Sequence, residues 1–316
     1  MNNSVRKITD GAMMCAIIGL LLVINRQFGG VFETMFLFLF PLPMVFYATK
    51  YGRNDSWLVL VAIALLSFII GTPQTVFYVT SESFLGLMYG AGVHDNKDSR
   101  KLLMLAIMIG IVVNVLTSIV FASFFGYDLA LEISEYETVI NESFSSAGVT
   151  LASTVNLKQM LTTVIIVSVV LTGILEGIIT HVFSRILLKR LRFNIPPSTP
   201  LALYFPKTWT GYLGIVGLVA YYYTIYNPLS NNVLQTLLQG LGIFGVIYLC
   251  FMGAIALIVN AGLKNPKMAG VFVIISFLLT MIFMLPMAMV GFLYITTSWH
   301  TNMLRRATYA SKDKQN

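Results

Sequence analysis

The sequence predicts an all-α protein, a polytopic transmembrane helical bundle of about ten spans with both termini in the cytoplasm. Three observations lead to this fold class. Only 10% of the 316 residues are charged and 57% are hydrophobic, whereas a soluble domain has about 25% and 45–50%. Apolar stretches of about 20 residues recur along the chain. The basic residues lie in every second connection between those stretches.

The same composition excludes several classes of protein. A chain with so few charged residues and so many hydrophobic ones is neither a cytosolic enzyme nor a disordered protein. Cys15 and Cys250 are the only cysteines, and their separation excludes both a disulfide framework and a cysteine-based metal site. The net charge of +7 is spread along the chain, so membrane topology explains it better than a nucleic-acid partner does.

The candidate spans are apolar stretches bounded by charged or turn-forming residues. A helix needs about 20 residues, at 1.5 Å each, to cross a hydrocarbon layer of about 30 Å. The spans predicted on this basis are Ile8–Ile24, Val31–Thr49, Trp57–Ile70, Pro73–Gly92, Lys101–Phe125, Met160–Leu188, Thr208–Tyr226, Leu234–Ala261, Met268–Met284 and Pro286–Met303.

The last two spans follow from charge and not from hydropathy. The apolar run Met268–Thr297 is too long for one ordinary span, and one span would place Arg305 and the basic tail outside. An outer hairpin at Met284–Pro286 returns the tail to the cytoplasm. All 20 basic residues except Arg26 and Lys158 then lie on the inner side, as the positive-inside rule requires.

This topology divides the chain into two predicted parts. Residues 1–192 form a six-helix membrane unit with an acidic outer loop at 126–159, and residues 193–316 form a four-helix extension with a basic cytoplasmic tail. Apolar residues recur in the outer loop at spacings of four and three, which predicts an amphipathic helix on the outer surface; a solvated acidic loop is the alternative. Those residues are Leu129, Ile133, Tyr136 and Ile140.

Polar residues repeat every fourth position in spans four, five and six. Residues four apart share a helix face, so each stripe can face a common interior. Counting from the span ends places Glu82, Asn114 and Glu176 near mid-depth. The stripes are Gln74, Tyr78 and Glu82 in the fourth span, Asn114 and Ser118 in the fifth, and Ser168, Thr172, Glu176 and Thr180 in the sixth.

These stripes predict a polar ligand-binding pocket that contains two carboxyl groups. An ionisable group within a span costs about 2.5–3.5 kcal/mol on insertion scales, so each one suggests a function. The alternative is structural: hydroxyls and amides join membrane helices, and a protonated Glu can bond a carbonyl. The predicted ligand-binding residues are Glu82, Asn114, Glu176, Tyr78, Gln74 and Thr172.

The first span carries two rows of small residues, which allow another helix to approach closely. One row contains Gly11, Cys15 and Gly19, and its neighbour contains Ala12 and Ala16. Packing within its own bundle is the simpler interpretation. The alternative is that Ala12 and Ala16 dock a partner membrane protein.

The sequence contains no recognisable motif for metal binding, nucleotide binding or nucleophilic catalysis. The three histidines have no paired-ligand spacing, so neither a metal nor a cofactor is expected. No nucleotide-binding or nucleophile-elbow motif occurs. The expected protein is not an enzyme. It is a multi-pass protein of the plasma membrane that contacts lipids.

Several segments resemble a known family. They are Ile8–Ala12, the Phe40–Pro43 turn, the Gly-rich end of the fourth span, and Lys189–Phe193 leading into Pro196–Pro197. With these segments the whole chain resembles the YybS-like family of uncharacterised Firmicute membrane proteins. The first six spans are also similar to the substrate-capture subunits of energy-coupling-factor vitamin transporters.

Both resemblances carry functional implications. Capture subunits bind vitamins among helices four to six and meet a coupling protein through an Ala-xxx-Ala row, which Ala12 and Ala16 match. They end after six spans, whereas this chain continues through four more. The YybS-like resemblance implies a cyclic-dinucleotide signalling enzyme as a partner.

The leading hypothesis is therefore a non-enzymatic membrane protein that binds or transports a small molecule between spans four, five and six. The alternative is a membrane scaffold or regulator of another membrane protein, such as a cyclic-dinucleotide signalling enzyme. A third hypothesis is an ion-coupled transporter in which Glu82 and Glu176 relay protons.

Overall fold

The computed structural model shows an all-helical chain, and the residues it describes contain no strand. The helices in chain order are α1 (Asn3–Gln27), α2 (Glu33–Phe36), α3 (Pro41–Ile70), α4 (Pro73–His94), α5 (Ser99–Val115), α6 (Leu129–Ser146), α7 (Leu157–Arg190), α8 (Thr208–Tyr226), α9 (Asn232–Lys264), α10 (Met268–Ile282), α11 (Met284–Thr296) and α12 (Trp299–Lys312). A π-helical segment, Leu116–Phe121, follows α5. The described residues are 3–31, 33–36, 38–121, 126, 128–148, 156–197, 205–265 and 268–312.

Five helical segments are long and apolar enough to cross a membrane, which agrees with a multi-pass protein. They are Ser4–Gln27, Pro41–Ile70, Ser99–Ser118, Leu157–Arg190 and Asn232–Lys264. The α10 and α11 helices are apolar but shorter. The count of ten spans and the cytoplasmic position of both termini remain predictions.

The α3 helix is broken at Gly52, which has φ 79° and ψ −178°. This backbone conformation favours glycine because it has no side chain. Before the break, the chain follows α4 in the same direction: Pro41 lies against Gly86, and the Thr49 carbonyl is 3.0 Å from His94 Nδ1.

After the break, the chain returns along α4 in the opposite direction. The Trp57 ring packs against the Phe84 ring, with 5.9 Å between the ring centroids. The predicted break between the second and third spans is therefore confirmed. It is a tight reversal at one glycine, and not the longer loop that the charged residues around it indicate.

The predicted second span, Val31–Thr49, is not one continuous helix. The short α2 is followed by a turn at Phe38–Phe40, and α3 begins with Pro41 in its first turn. Proline favours the start of a helix because its missing N–H would be unpaired there in any case. The half of α3 before Gly52 rises only about 16 Å, which is short of the hydrocarbon thickness of about 30 Å.

The predicted final hairpin also differs from two full spans. The chain does break at Phe283, beside the predicted hairpin, but α10 and α11 rise only about 22 and 20 Å. The Cys250 Sγ donates to the Met284 carbonyl oxygen at 3.2 Å. Because Cys250 lies near the middle of α9, the turn lies beside the middle of that helix and not beside its end.

The predicted helix in the outer segment is confirmed as α6, Leu129–Ser146. Ile133 is buried, whereas Tyr136 and Val139 are exposed. The rest of the predicted loop, at 127 and 149–155, lies outside the described residues, as does the tail after Lys312.

The chain forms two compact units. The first contains residues 1–130 and 168–198, and the second contains 131–167 and 199–316. The proposed division after residue 192 remains a prediction. In the first unit, a core shared by α3, α4, α5 and α7 contains Val45, Leu85, Tyr89, Val93, Leu102, Ala106 and Leu188.

Ion pairs attach α1 to α3 within the first unit. Lys7 Nζ lies 2.6 Å from Asp55 Oδ2, and Lys50 pairs with Asp10. The Tyr51 hydroxyl also donates to Asp10 at 2.7 Å. The charged residues of the first turns of α1 are therefore structural links to the reversal at Gly52.

Candidate functional site

The polar stripes lie on α4, on α5 and on the part of α7 from residue 168 onward, all within the first unit. The start of α4 is determined locally: Pro73 lies in its first turn, and the Thr72 hydroxyl accepts a hydrogen bond from the Thr75 N–H at 3.2 Å. This is a side-chain cap of a helix N-terminus. It sets the register that places Glu82 near the middle of α4.

Glycines bring α5 and α7 into backbone contact. A Cβ atom on Gly110 would lie 2.4 Å from the Gly173 carbonyl oxygen, and one on Gly177 would lie 2.5 Å from the backbone of Ile107. Such approaches are possible only without side chains. These glycines were not predicted from the sequence, although the Gly173-xxx-Gly177 spacing is a recognisable signal of close helix packing.

The two carboxyl groups of the stripes meet across this packing. Glu82 and Glu176 are 1% and 3% exposed, and their carboxyl groups approach each other closely enough to interact. Burial and like charge both disfavour ionisation of two adjacent carboxyl groups, so a shared proton is the physically favoured state of such a pair.

Asn114 completes this cluster. Its Nδ2 donates to Glu176 Oε2 and also to the Gly110 carbonyl oxygen at 3.0 Å. The structure thus brings together Glu82, Asn114 and Glu176, the three residues that the sequence places at mid-depth. We call these three residues the carboxyl cluster.

Two oxygens of the carboxyl cluster remain without a partner. Glu82 Oε2 and Glu176 Oε1 are buried and accept no hydrogen bond from the residues that the structure describes. Buried polar atoms are almost always paired with protein or with ordered water. These oxygens therefore have hydrogen-bonding capacity that no described residue is seen to use.

The other predicted ligand-binding residues are not all beside the cluster. Tyr78 is half-buried one turn before Glu82, but Gln74 and Thr172 are exposed. The Thr172 hydroxyl donates to the Ser168 carbonyl oxygen at 2.9 Å. The reason is geometric: a helix has 3.6 residues per turn, so a four-residue stripe drifts by about 40° at each step.

A buried pair lies nearer the end of the same helices. The Tyr89 hydroxyl oxygen and His181 Nδ1 are 2.9 Å apart. Our sequence analysis considered His181 only as a metal ligand. In the described ranges, no group of three or more His, Cys, Asp or Glu residues could hold a metal ion.

The groove between α3, α4 and α5 has a different character. It encloses about 520 Å³ and is lined mainly by Trp57, Phe77, Phe84, Met108 and Val112. An apolar lining of this kind is complementary to hydrocarbon chains. Glu82, the member of the carboxyl cluster on α4, lies on a different face of that helix.

The two small-residue rows of α1 face different surroundings. Gly11 packs against Val59 and Gly19 against Leu66 within the first unit. Ala12 and Ala16 are exposed. The first row is therefore used within the bundle, and the second is free for a partner or for lipid.

Apolar helices of spanning length around a buried carboxyl cluster define a polytopic α-helical membrane protein. The chain belongs to the family described as "Predicted membrane protein (DUF2232)", whose model matches residues 16–293. No curated protein and no solved structure matches the chain. These comparisons support neither the YybS-like name nor the likeness to capture subunits, so both remain predictions.

Proposed function

We propose that this integral membrane protein is not an enzyme and that it binds, and moves across the plasma membrane, a small molecule that donates hydrogen bonds. The binding groups are Glu82, Asn114 and Glu176. One observation carries the proposal: two carboxyl oxygens, deep among apolar helices, are without a hydrogen-bond partner among the described residues. Retaining such groups costs stability, so a functional role explains them better than packing does.

The chemistry of the carboxyl cluster restricts the class of ligand. Its unpartnered atoms are acceptors, and Asn114 already uses Nδ2 within the cluster. A complementary molecule presents amine, ammonium or hydroxyl donors. The vitamin ligands that the capture-subunit resemblance implies are one such class, and polyamines and nucleosides are others.

Ligand-induced thermal stabilisation tests this proposal. We expect at least one member of a panel of B vitamins, polyamines, amino acids and nucleosides to raise the Tm of the purified protein. The double variant Glu82→Gln/Glu176→Gln should lose that rise, because an amide replaces an acceptor by a donor at each position. Ser83→Ala is the matched control, since Ser83 is also buried on α4 but lies on a different face from Glu82. An equal rise in the double variant, or no rise with any compound, would reject the site.

A second function, scaffolding of another membrane protein, is favoured by the exposure of Ala12 and Ala16. The family resemblance in the sequence suggests a cyclic-dinucleotide signalling enzyme as that partner. Leucine at both positions should abolish recovery of a co-purifying membrane protein from mild detergent, because a bulky row prevents close helix approach. The control is Ala62→Leu, at an exposed alanine of α3. Recovery that is unchanged by leucine at Ala12 and Ala16 would contradict docking through this row.

A further inference from the structure

A row of buried oxygen atoms extends along α7 from the carboxyl cluster. Glu176, Thr180 and Ser184 follow at four-residue spacing, and Thr180 and Ser184 have no exposed surface. Glu176 Oε1, Thr180 Oγ1 and Ser184 Oγ each find no hydrogen-bond partner among the described residues. We call these three residues the polar row. The stripe predicted from the sequence ends at Thr180, and Ser184 extends it by one more four-residue step.

The hydroxyls of the polar row differ from others in the same chain. A Ser or Thr hydroxyl within a helix commonly donates to the carbonyl four residues earlier. Thr80 and Thr117 do so, each at 2.7 Å. Thr180 and Ser184 do not, so their hydroxyls are available to water.

The spacing of the polar row suits such water. Successive members lie about 6 Å apart along the helix axis, because each residue rises 1.5 Å. One water molecule that forms two hydrogen bonds of about 2.8 Å bridges two oxygens at that separation. Side-chain oxygens and waters can therefore alternate from Glu176 to Ser184.

The charged and titratable groups beside the polar row come from three helices. The α4 helix contributes Glu82 and Tyr89, α5 contributes Asn114, and α7 itself contributes His181 and Arg185. Tyr89 and His181 are hydrogen-bonded to each other, and Asn114 is bonded to Glu176. All of these groups except Glu82, whose Oε2 is unpartnered among the described residues, have hydrogen-bond partners of their own.

The polar row ends at the buried Ser184, one residue before Arg185, and the next position of the four-residue repeat is the buried Leu188. Arg185 follows Ser184 and donates to Ser99 Oγ at 3.1 Å and to the Pro196 carbonyl oxygen at 2.7 Å. Lys189 and Arg190 lie in the last turn of the helix. The charge pattern of the sequence predicts that this end faces the cytoplasm.

The polar row does not continue beyond Glu176 in the other direction. The preceding member of the four-residue repeat, Thr172, is exposed and is bonded to the Ser168 carbonyl oxygen. At the same level, the backbones of Gly110 and Gly173 touch. The buried oxygens therefore continue from Glu176 toward the basic end only.

We propose that the polar row is a proton path that joins the carboxyl groups of Glu82 and Glu176 to the basic end of α7. These carboxyl groups give up one proton to the adjacent water. Each hydroxyl of the row then accepts one proton and passes on another, and bulk water at the basic end receives the last proton. The hydroxyls are unchanged at the end of the transfer. Coupling of this proton to solute binding rests on the proposed function, but the path itself does not.

Hydrogen–deuterium exchange of the buried carboxyl proton tests this path. The protein in lipid nanodiscs is transferred from H2O to D2O, and the infrared carbonyl band of the protonated carboxyl group is followed in time. Glu82→Gln/Glu176→Gln identifies the band by removing it. We expect Thr180→Val and Ser184→Ala to slow its exchange by about tenfold each, the factor that corresponds to about 1.4 kcal/mol of barrier.

Two further variants separate the path from general effects on packing. Thr180→Ser retains the hydroxyl and should exchange at the wild-type rate. Ser83→Ala removes a hydroxyl that is also buried and unpartnered but lies outside the row, and it should likewise leave the rate unchanged. Wild-type rates in both Thr180→Val and Ser184→Ala, equal slowing in Ser83→Ala, or absence of the band in the wild type would overturn the proposal. Thermal stabilisation by solutes is measured separately, so failure of solute binding and failure of the path give different results.

Discussion

Replacement of both Glu82 and Glu176 by methionine should leave the protein about as stable as the wild type or more stable, whereas either single replacement should destabilise it by about 1–3 kcal/mol. A single replacement leaves the other carboxyl group buried without its partner. The double replacement removes both polar groups and fills the space with apolar atoms of similar volume. It should also abolish any stabilisation by solutes.

The measurement is equilibrium unfolding of the wild type, both single variants and the double variant in the same detergent. This comparison separates a functional cluster from a structural one. If the carboxyl cluster existed to hold α4 and α7 together, the double variant would be the least stable of the four. That order of stabilities would contradict our assignment of the cluster to ligand binding.

Alanine at two close glycine contacts, one in each unit, should destabilise that unit by about 1–3 kcal/mol or more. A Cβ atom on Gly110 would lie 2.4 Å from the Gly173 carbonyl oxygen, and one on Gly291 would lie 1.8 Å from the Leu249 carbonyl oxygen. Both obstacles are backbone atoms, which cannot move aside as a flexible side chain can. The helices must therefore separate or shift.

Gly270 provides the control for these substitutions. It lies in α10, and a Cβ atom there would meet nothing within 4 Å. Gly270→Ala should stabilise the protein by about 0.5–1 kcal/mol, since alanine favours a helix more than glycine does. Thermal unfolding of the three variants gives the comparison, and a gain in stability for Gly110→Ala or Gly291→Ala would show that those backbones do not touch.

The positions of the mid-depth polar residues could be predicted from sequence with useful accuracy. Glu82 and Glu176 lie near the middle of α4 and α7, and Asn114 lies at the end of α5; a polar group within an apolar segment favours a shared interior over lipid. Gln74 and Thr172, which belong to the same predicted stripes, are exposed, because the direction of a four-residue stripe drifts by about 40° with each step. The unpartnered hydroxyls of Thr180 and Ser184 could not be predicted. Whether a helical hydroxyl donates to the carbonyl four residues earlier or to another group depends on the neighbouring helices.

The sequence by itself determined that the chain is an all-helical membrane protein, because a long apolar run without charges satisfies its backbone in lipid only as a helix. It also determined the break near Gly52, through charges and a glycine between two apolar runs. The tertiary structure decided that this break is a reversal along α4, that the turn after α10 lies beside the middle of α9, and which row of α1 faces inward. Those outcomes depend on which helix surfaces meet, and hydropathy does not distinguish a surface that packs against another apolar helix from one that contacts lipid.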